Sequence, residues 1–210
     1  HKKQSGGRGQ FGDCWVRFAP QPRGGGYVFE DKIVGGAIPR QYIPAVDRGI
    51  QEASVRGILA GYPLVDFKVE LFDGSFHTVD SNEQSFKMAG ILAFKAVAPK
   101  CKPVLLEPLD ELEIITPDEY MGDVLGDLSS RRGHILGTEP ADGEGAGTVI
   151  RAILPQAELH GYASALQSMT QGHATFIRRF HGYEEAPHDV AQKVVEEHAK
   201  ESEEELVGAH

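Results

Sequence analysis

Residues 111–133 read ELEIITPDEYMGDVLGDLSSRRG, and the change of period inside this stretch decides the fold class of the half in which it lies. From Glu111 to Thr116 polar and apolar side chains alternate, the pattern of a strand with one buried face. Thr116-Pro117-Asp118-Glu119 then sets a capping residue, a proline at the first helical position and an acidic N3 in the order of a capping box, which predicts a helix ending at Gly133. Working downstream, the pattern gives a strand over 134–139, a loop over 140–147, a strand over 148–154, a helix over 159–169 and a strand over 175–181. The order βαββαβ is that of a ferredoxin-like split motif.

Upstream, strands over 14–18 and 27–34 flank the turn cluster PQPRGGG (20–26) and read as a hairpin. Ile43, Val46, Ile50 and Ala53 recur at spacings of three and four, predicting an amphipathic helix that ends near Gly57. A strand over 64–72 carries Val65, Phe67, Val69 and Leu71 on one face, and Asp73-Gly74 is a turn signal. A second helix over 82–98 has Ser81 and Gln84 placed as a capping box, with Phe86, Ala89, Ala93 and Val97 as its buried stripe. This first unit is β-β-α-β-α plus a closing strand. Pro187 opens a last helix whose Val190, Val194 and Val195 form a short apolar stripe before an acidic run, expected to be solvated and dispensable for folding. The expected fold class is α+β, with domains over 1–103 and 104–186, and a C-terminal helix and acidic tail over 187–210.

The formal net charge of −10 argues against a nucleic-acid partner only on average. Residues 1–103 hold 14 Lys/Arg and 10 Asp/Glu, net +4, whereas 104–183 hold 5 and 12 and 184–210 hold 2 and 9, each net −7. A basic first half is therefore masked by acidic regions downstream. No apolar run approaches a membrane span, the longest being Ala89 to Phe94, and a soluble, cytoplasmic, monomeric protein without membrane contact is expected. Cys14 and Cys101 stand far apart, with no spacing for zinc or a disulfide framework.

Gly7, Gly9 and Gly12 in HKKQSGGRGQFG (1–12) spell G-x-G-x-x-G, but a dinucleotide turn needs a strand before it and a helix opening on the last glycine. No hydrophobic strand precedes Gly7, and Cys14-Trp15-Val16-Arg17-Phe18 has no helical period. The stretch is better read as a side-chain-poor loop flanked by Lys2, Lys3 and Arg8, suited to lie against phosphates. His77, Asp80 and Glu83 straddle a loop and a helix start without a recognised metal spacing. There is no G-x-S-x-G elbow and no G-x-x-x-x-G-K-[ST] phosphate loop, so no catalytic residue and no metal site is assigned. Arg131-Arg132 and Arg178-Arg179 are the basic pairs of the acidic half, each open to a phosphate contact or a solvated role.

Five stretches in unbroken order carry a resemblance: HKKQSGGRGQFG (1–12), GGAIPRQYIPAVDRGIQEA (35–53), LAGYPLVDFKVELFDGSFHTVDSNEQSFKMAG (59–90), VLLEPLDELEIITPDEYMGDVLGDLSSRRGHILG (104–137) and VIRAILPQAELHGYASALQSMTQGHATF (149–176). Together they resemble the fourth and fifth domains of translation elongation factor G. The resemblance implies a ribosomal-S5-like first domain whose tip enters the ribosomal decoding region and keeps tRNA and mRNA from slipping back during translocation. It implies a second domain set against large-subunit rRNA near the factor-binding centre, for which the basic pair Arg131 and Arg132 are candidate rRNA contacts. The tip loops match Lys2, Lys3, Gln4, Ser5, Gly6, Gly7, Arg8, Gly9 and Gln10, and Ser75 to Ser81 with His77 outermost and Asp80 beside it. The implied partners are rRNA, the tRNA-mRNA duplex and ribosomal proteins near the factor-binding site. GTP and magnesium belong to the intact GTPase, so this stretch is expected to need no cofactor and to be no enzyme. Relative to the family, the chain is expected to lack the strand that leads into the tip loop, leaving a sheet edge unpaired. The extension PHDVAQKVVEEHAKESEEE (187–205) resembles the elongation factor G-like paralogue branch. A ribosome-protection or recycling factor, a paralogue without translocation, and an autonomous RNA-binding or protein-interaction module are the alternatives.

Overall fold

The computed structural model describes residues 1–4, 7, 9–143 and 147–208, with side chains described as far as residue 201. It divides into two compact units, His1–Val104 with Asp189–His210, and Leu105–His188. The first unit begins with a short antiparallel ladder of β1 (Lys2–Lys3) and β2 (Gln10–Phe11), Lys2 opposite Phe11 and Lys3 opposite Gln10. The residues before the glycines thus form a strand after all, a polar one that hydrophobic patterning does not reveal. Then come β3 (Asp13–Pro20), β4 (Tyr27–Asp31), α1 (Ile43–Arg56), β5 (Phe67–Ser75) and α2 (Glu83–Val97).

The expected hairpin does not form. The sheet order is β3-β5-β4, with β3 antiparallel and β4 parallel to β5. β5 takes the centre because Phe67, Val69 and Leu71 are the strand's buried face, and α1 makes the crossover that a parallel β4–β5 pair requires. Among the described residues the sheet has three strands, and the expected closing strand is not one of them. Asp73-Gly74 is no turn either. Both stay in β5, which remains paired with β3 as far as Asp13 opposite Ser75, helped by a bulge at Trp15/Val16.

The core of this unit joins Val46 and Ile50 of α1, Phe67, Val69 and Leu71 of β5, and Phe86 and Phe94 of α2. The stripe on α2 is turned by about one residue from its expected setting: Phe94 and Ala98 are fully buried, while Ala93 and Val97 are half-buried. The two helices touch through glycine. A Cβ at Gly49 would collide with the Lys87 carbonyl of α2, and one at Gly90 with the Val46 carbonyl of α1. On the outer face of the sheet, Arg17, Glu70, Lys68, Glu30 and Lys32 form an alternating chain of ion pairs at 3.1 to 3.5 Å.

The second unit contains β6 (Leu106–Thr116), α3 (Met121–Ser130), β7 (His134–Pro140), β8 (Thr148–Pro155), α4 (Tyr162–Met169) and β9 (Thr175–Glu185). The sheet order β7-β8-β6-β9, antiparallel throughout, is the ferredoxin-like arrangement that the stretch 111–133 predicts. Its core gathers Leu112, Ile114, Val124, Leu128, Ile150, Leu154 and Leu166. The capping box at Thr116 is absent. Thr116 is fully buried as the last residue of β6, opposite Thr148, and a single 3₁₀ turn, Asp118–Tyr120, intervenes before α3. The Thr116 hydroxyl donates to the Pro117 carbonyl at 3.4 Å, and the turn starts from Pro117 without a side-chain cap.

The last helix, α5 (His188–Gly208), is grouped with the first unit, where the sequence reading sets it apart. Val190, Ala191 and Val194 are half-buried, and the helix continues through the acidic run. His198 lies against the 59–62 turn, 2.8 Å from where a Cβ on Gly61 would stand.

Candidate nucleic-acid interface

Two loops meet at one end of the first unit. The first spans the β1–β2 ladder, with Gln4, Gly7 and Gly9 among its described residues; Ser5, Gly6 and Arg8 lie outside them. The His1 amino group donates to the Gly12 carbonyl at 2.7 Å, and the Gly12 N–H donates to the His1 carbonyl at 2.9 Å. Gly12 has a packing reason to be glycine. A Cβ there would stand 2.6 Å from the Ser85 carbonyl oxygen, in the backbone of α2's first turn. The third glycine of the apparent dinucleotide motif therefore serves close approach of a strand to a helix, and a strand follows it, not a helix.

The second loop leaves β5 at Ser75 and turns on itself. The Ser81 N–H donates to the His77 carbonyl at 3.0 Å, and the His77 N–H donates to Ser81 Oγ at 2.9 Å. The N–H groups of Val79 and Asp80 both donate to His77 Nδ1, at 3.3 and 3.2 Å. In the neutral ring these donors make Nδ1 the acceptor and put the proton on Nε2. The His77 side chain is 55 % exposed, so much of the ring is accessible on an ordered turn. Asp80 Oδ2 lies 3.5 Å from His77 Nδ1. The same carboxylate covers Gly9, its Cγ 2.9 Å from where a Cβ would be, so it packs between the loops.

Cross-links join the loops. The Phe11 N–H donates to the Asp80 carbonyl at 2.9 Å, and Ser81 Oγ donates to the Phe11 carbonyl at 2.8 Å. Tyr42 Oη donates to the Ser81 carbonyl at 3.2 Å. Ser81 is thus not the cap of α2. Asn82 is, its side chain accepting from the Ser85 N–H at 2.8 Å. In Ser81-Asn82-Glu83-Gln84 two cap-competent residues stand side by side, and local pattern cannot choose between registers one residue apart.

Much of the unit's positive charge is engaged internally: Arg17 by Glu70, Arg48 by Glu83, Lys87 by Glu52, Lys68 by Glu30 and Glu70. Lys2 and Lys3 are exposed and have no ion-pair partner among the described residues. Glu83, the third residue of the considered metal trio, is turned toward Arg48 at 3.0 Å, away from His77 and Asp80. Burial, with Asp13 adding to it, pushes the Cys14 thiol up to about 11, which favours the protonated form near neutral pH.

The arginines of the second unit are differently placed. Arg132 is held by all three nitrogens, with both Nη on Glu107 at 2.8 Å and Nε on Glu158 at 3.0 Å, and these bonds raise its already high pKa further. Arg131 binds Asp127 at 2.8 Å and the Glu158 carbonyl at 2.7 Å, with its guanidinium over the Tyr162 ring. Arg178 pairs with the buried Asp110, which Gln156 also binds. Arg131 and Arg132 are thus a clamp across α3, β6 and the 156–159 turn. Arg132→Ala is expected to destabilise by on the order of 2 kcal/mol, since it strips hydrogen bonds from two carboxylates. Lysine should recover only part of that loss because it lacks the fork. The urea midpoint of each variant checks this.

Comparison with known proteins divides the chain near residue 103 as the structure does, but carries the second match into α5. Residues 1–102 match the family model of elongation factor G, domain IV, and residues 104–194 match that of the elongation factor G C-terminus. The chain belongs to the elongation factor G family. A crystal structure from Thermus thermophilus superposes with a TM-score of 0.82 at 45 % identity over 95 % of this chain. The chain spans 29 % of that structure's length, so this elongation factor G segment is similar to under a third of a longer protein. No helix among the described residues is long and apolar enough to cross a membrane.

Proposed function

We propose that this chain is the ribosome-contacting portion of an elongation factor G-type translational GTPase, and that the paired loops at the end of its first unit press on the tRNA-mRNA duplex in the decoding region. The observation that carries this reading is the tip itself: exposed Lys2 and Lys3, without an ion-pair partner among the described residues, beside a His77 ring that is fixed at Nδ1 and more than half exposed. Lysines neutralise phosphates, while an exposed ring with a fixed N–H can stack on a base or donate to a phosphate or 2′-hydroxyl. Such a tip obstructs backward movement by occupying space and holding RNA backbone, and needs no bond chemistry of its own.

GTP and magnesium do not fit these residues. The glycine motif has a carboxylate over Gly9 and opens into a strand, and the 210 residues contain no phosphate loop with its lysine. We therefore assign nucleotide hydrolysis to the remainder of the factor, and calorimetry that found micromolar GTP binding by this chain would overturn the assignment. The second unit and the cytoplasmic, monomeric character of the chain are read in the same light, as ribosome-docking parts of a translation factor.

The test is translocation by the chain joined to the rest of a family member. His77→Ala is expected to slow tRNA-mRNA movement about tenfold or more in rapid-kinetic assays, the usual scale of one lost directed contact, while lowering the melting temperature by only a few degrees, because the two bonds its Nδ1 accepts lie in an exposed turn. Wild-type kinetics would remove the tip assignment. They would favour instead the paralogue without translocation, whose branch the extension over 187–205 resembles.

A further inference from the structure

We propose that Ser81 is a positioning residue that bolts the two tip loops into a single RNA-facing body. The proposal rests on the tip reading above and adds to it how the tip is kept in shape. Ser81 Oγ accepts from the His77 N–H at 2.9 Å and donates to the Phe11 carbonyl at 2.8 Å, so one hydroxyl uses its donor and an acceptor position on opposite loops. Ser81 is 5 % exposed, so the hydroxyl that makes both part-buried bonds is itself shielded from water. A second strand of the same joint runs beside it, from the Phe11 N–H to the Asp80 carbonyl at 2.9 Å. Tyr42, stacked on Phe86 with ring centroids 5.2 Å apart, fixes the Ser81 carbonyl from the core side.

The hydroxyl cannot be replaced by methyl without leaving the His77 N–H and the Phe11 carbonyl unsatisfied, whereas threonine carries the same oxygen on a slightly larger side chain. Ser81 touches no RNA in this arrangement. It acts by holding His77, which ends one loop, at a fixed distance from the Lys2–Lys3 ladder that starts the other. Two contacts held in one geometry bind an RNA surface with less ordering cost than two loops that must each be ordered on arrival.

Amide exchange by NMR on the 210-residue chain, without ribosomes, tests the bolt. In Ser81→Ala the His77 amide loses its acceptor, and the Phe11 amide, itself bonded to the Asp80 carbonyl, loses the neighbouring strand of the joint; both are expected to exchange about tenfold faster, the scale of one hydrogen bond's net stabilisation. The Val69 and Leu71 amides of β5 should keep their rates, and Ser81→Thr should restore His77 and Phe11. Asn82→Ala, which removes the α2 cap, should speed the Ser85 amide and spare His77. Unchanged His77 and Phe11 exchange in Ser81→Ala would overturn the proposal. So would an equal acceleration at Val69 and Leu71, which marks a general loss of stability, or a failure of threonine to restore. A negative result removes the bolt alone; the RNA reading stands or falls on ribosome binding, measured separately with the lysine variant below.

Discussion

Replacing Lys2, Lys3 and Arg8 together by alanine is expected to weaken ribosome binding of this chain by about one to three orders of magnitude near 0.1 M salt. Each basic residue on a phosphate displaces condensed counterions, so log K falls with log salt by up to about one unit per contact, and at about 0.1 M each contact contributes up to about tenfold. Lys2 and Lys3 start from the favourable condition of being exposed and unpaired among the described residues, so little of their charge is already neutralised within the unit. Cosedimentation across a salt series measures both quantities. The variant's slope should be shallower by up to about three units, its melting temperature unmoved. His77→Ala is the contrast, because a ring contact has no counterion term and leaves the slope alone. A triple variant with the wild-type slope would show that this loop does not meet phosphate.

Gly49→Val is expected to be the most damaging single change to the first unit, costing about 3 kcal/mol or more. Even the first carbon of the new side chain overlaps the Lys87 carbonyl, and Gly90 holds the reciprocal position against Val46, so neither helix can yield locally. The remaining response is for α1 and α2 to separate, which opens the contacts among Val46, Ile50, Phe86 and Phe94. For a unit of this size each kcal/mol lowers the melting temperature by about 3–5 °C, so a fall of roughly 9 °C or more should follow. Trp15 is the chain's single tryptophan and lies in β3, so its fluorescence reports the first unit directly. A variant melting within a few degrees of wild type would mean that the helix pair is not held at the spacing described.

The two outcomes bear on different levels of the same object. The lysine variant addresses what the tip touches; the glycine variant addresses the platform that carries it. β5 runs unbroken from the core at Phe67 to the tip at Ser75, and α2 starts at Glu83, so the loop bearing His77 is anchored on both sides by elements whose packing Gly49 governs. Loss of the helix spacing should therefore also degrade ribosome binding, but in parallel with stability, whereas loss of the lysines should not.

What the sequence by itself determined were the features that depend on short-range pattern. The alternation in 111–116 followed by the helical signal after it specified the βαββαβ order, and the period of Ile43, Val46, Ile50 and Ala53 specified the buried face of α1. Charge segregation pointed to the first half as the one that could meet an anionic partner, and long matching stretches carried the family. Tertiary structure decided what depends on competition between partners far apart in the chain. Whether β3 neighbours β4 or β5 is settled by which strand buries most apolar surface at the centre, a property of the assembled sheet. Whether the Thr116 hydroxyl caps a helix is settled once the residue is buried at the end of β6 opposite Thr148, and whether Ser81 or Asn82 caps α2 is settled in the folded tip, where the Ser81 hydroxyl accepts from the His77 N–H and donates to the Phe11 carbonyl far back in the chain, leaving Asn82 to accept from Ser85. The same holds for Arg131 and Arg132: as a basic pair they resemble a phosphate site, and only the folded unit brings Glu107 and Glu158 close enough to occupy them. A hydrogen-bonding group takes the partner whose geometry is best once everything is packed, and that choice is made by distance in space.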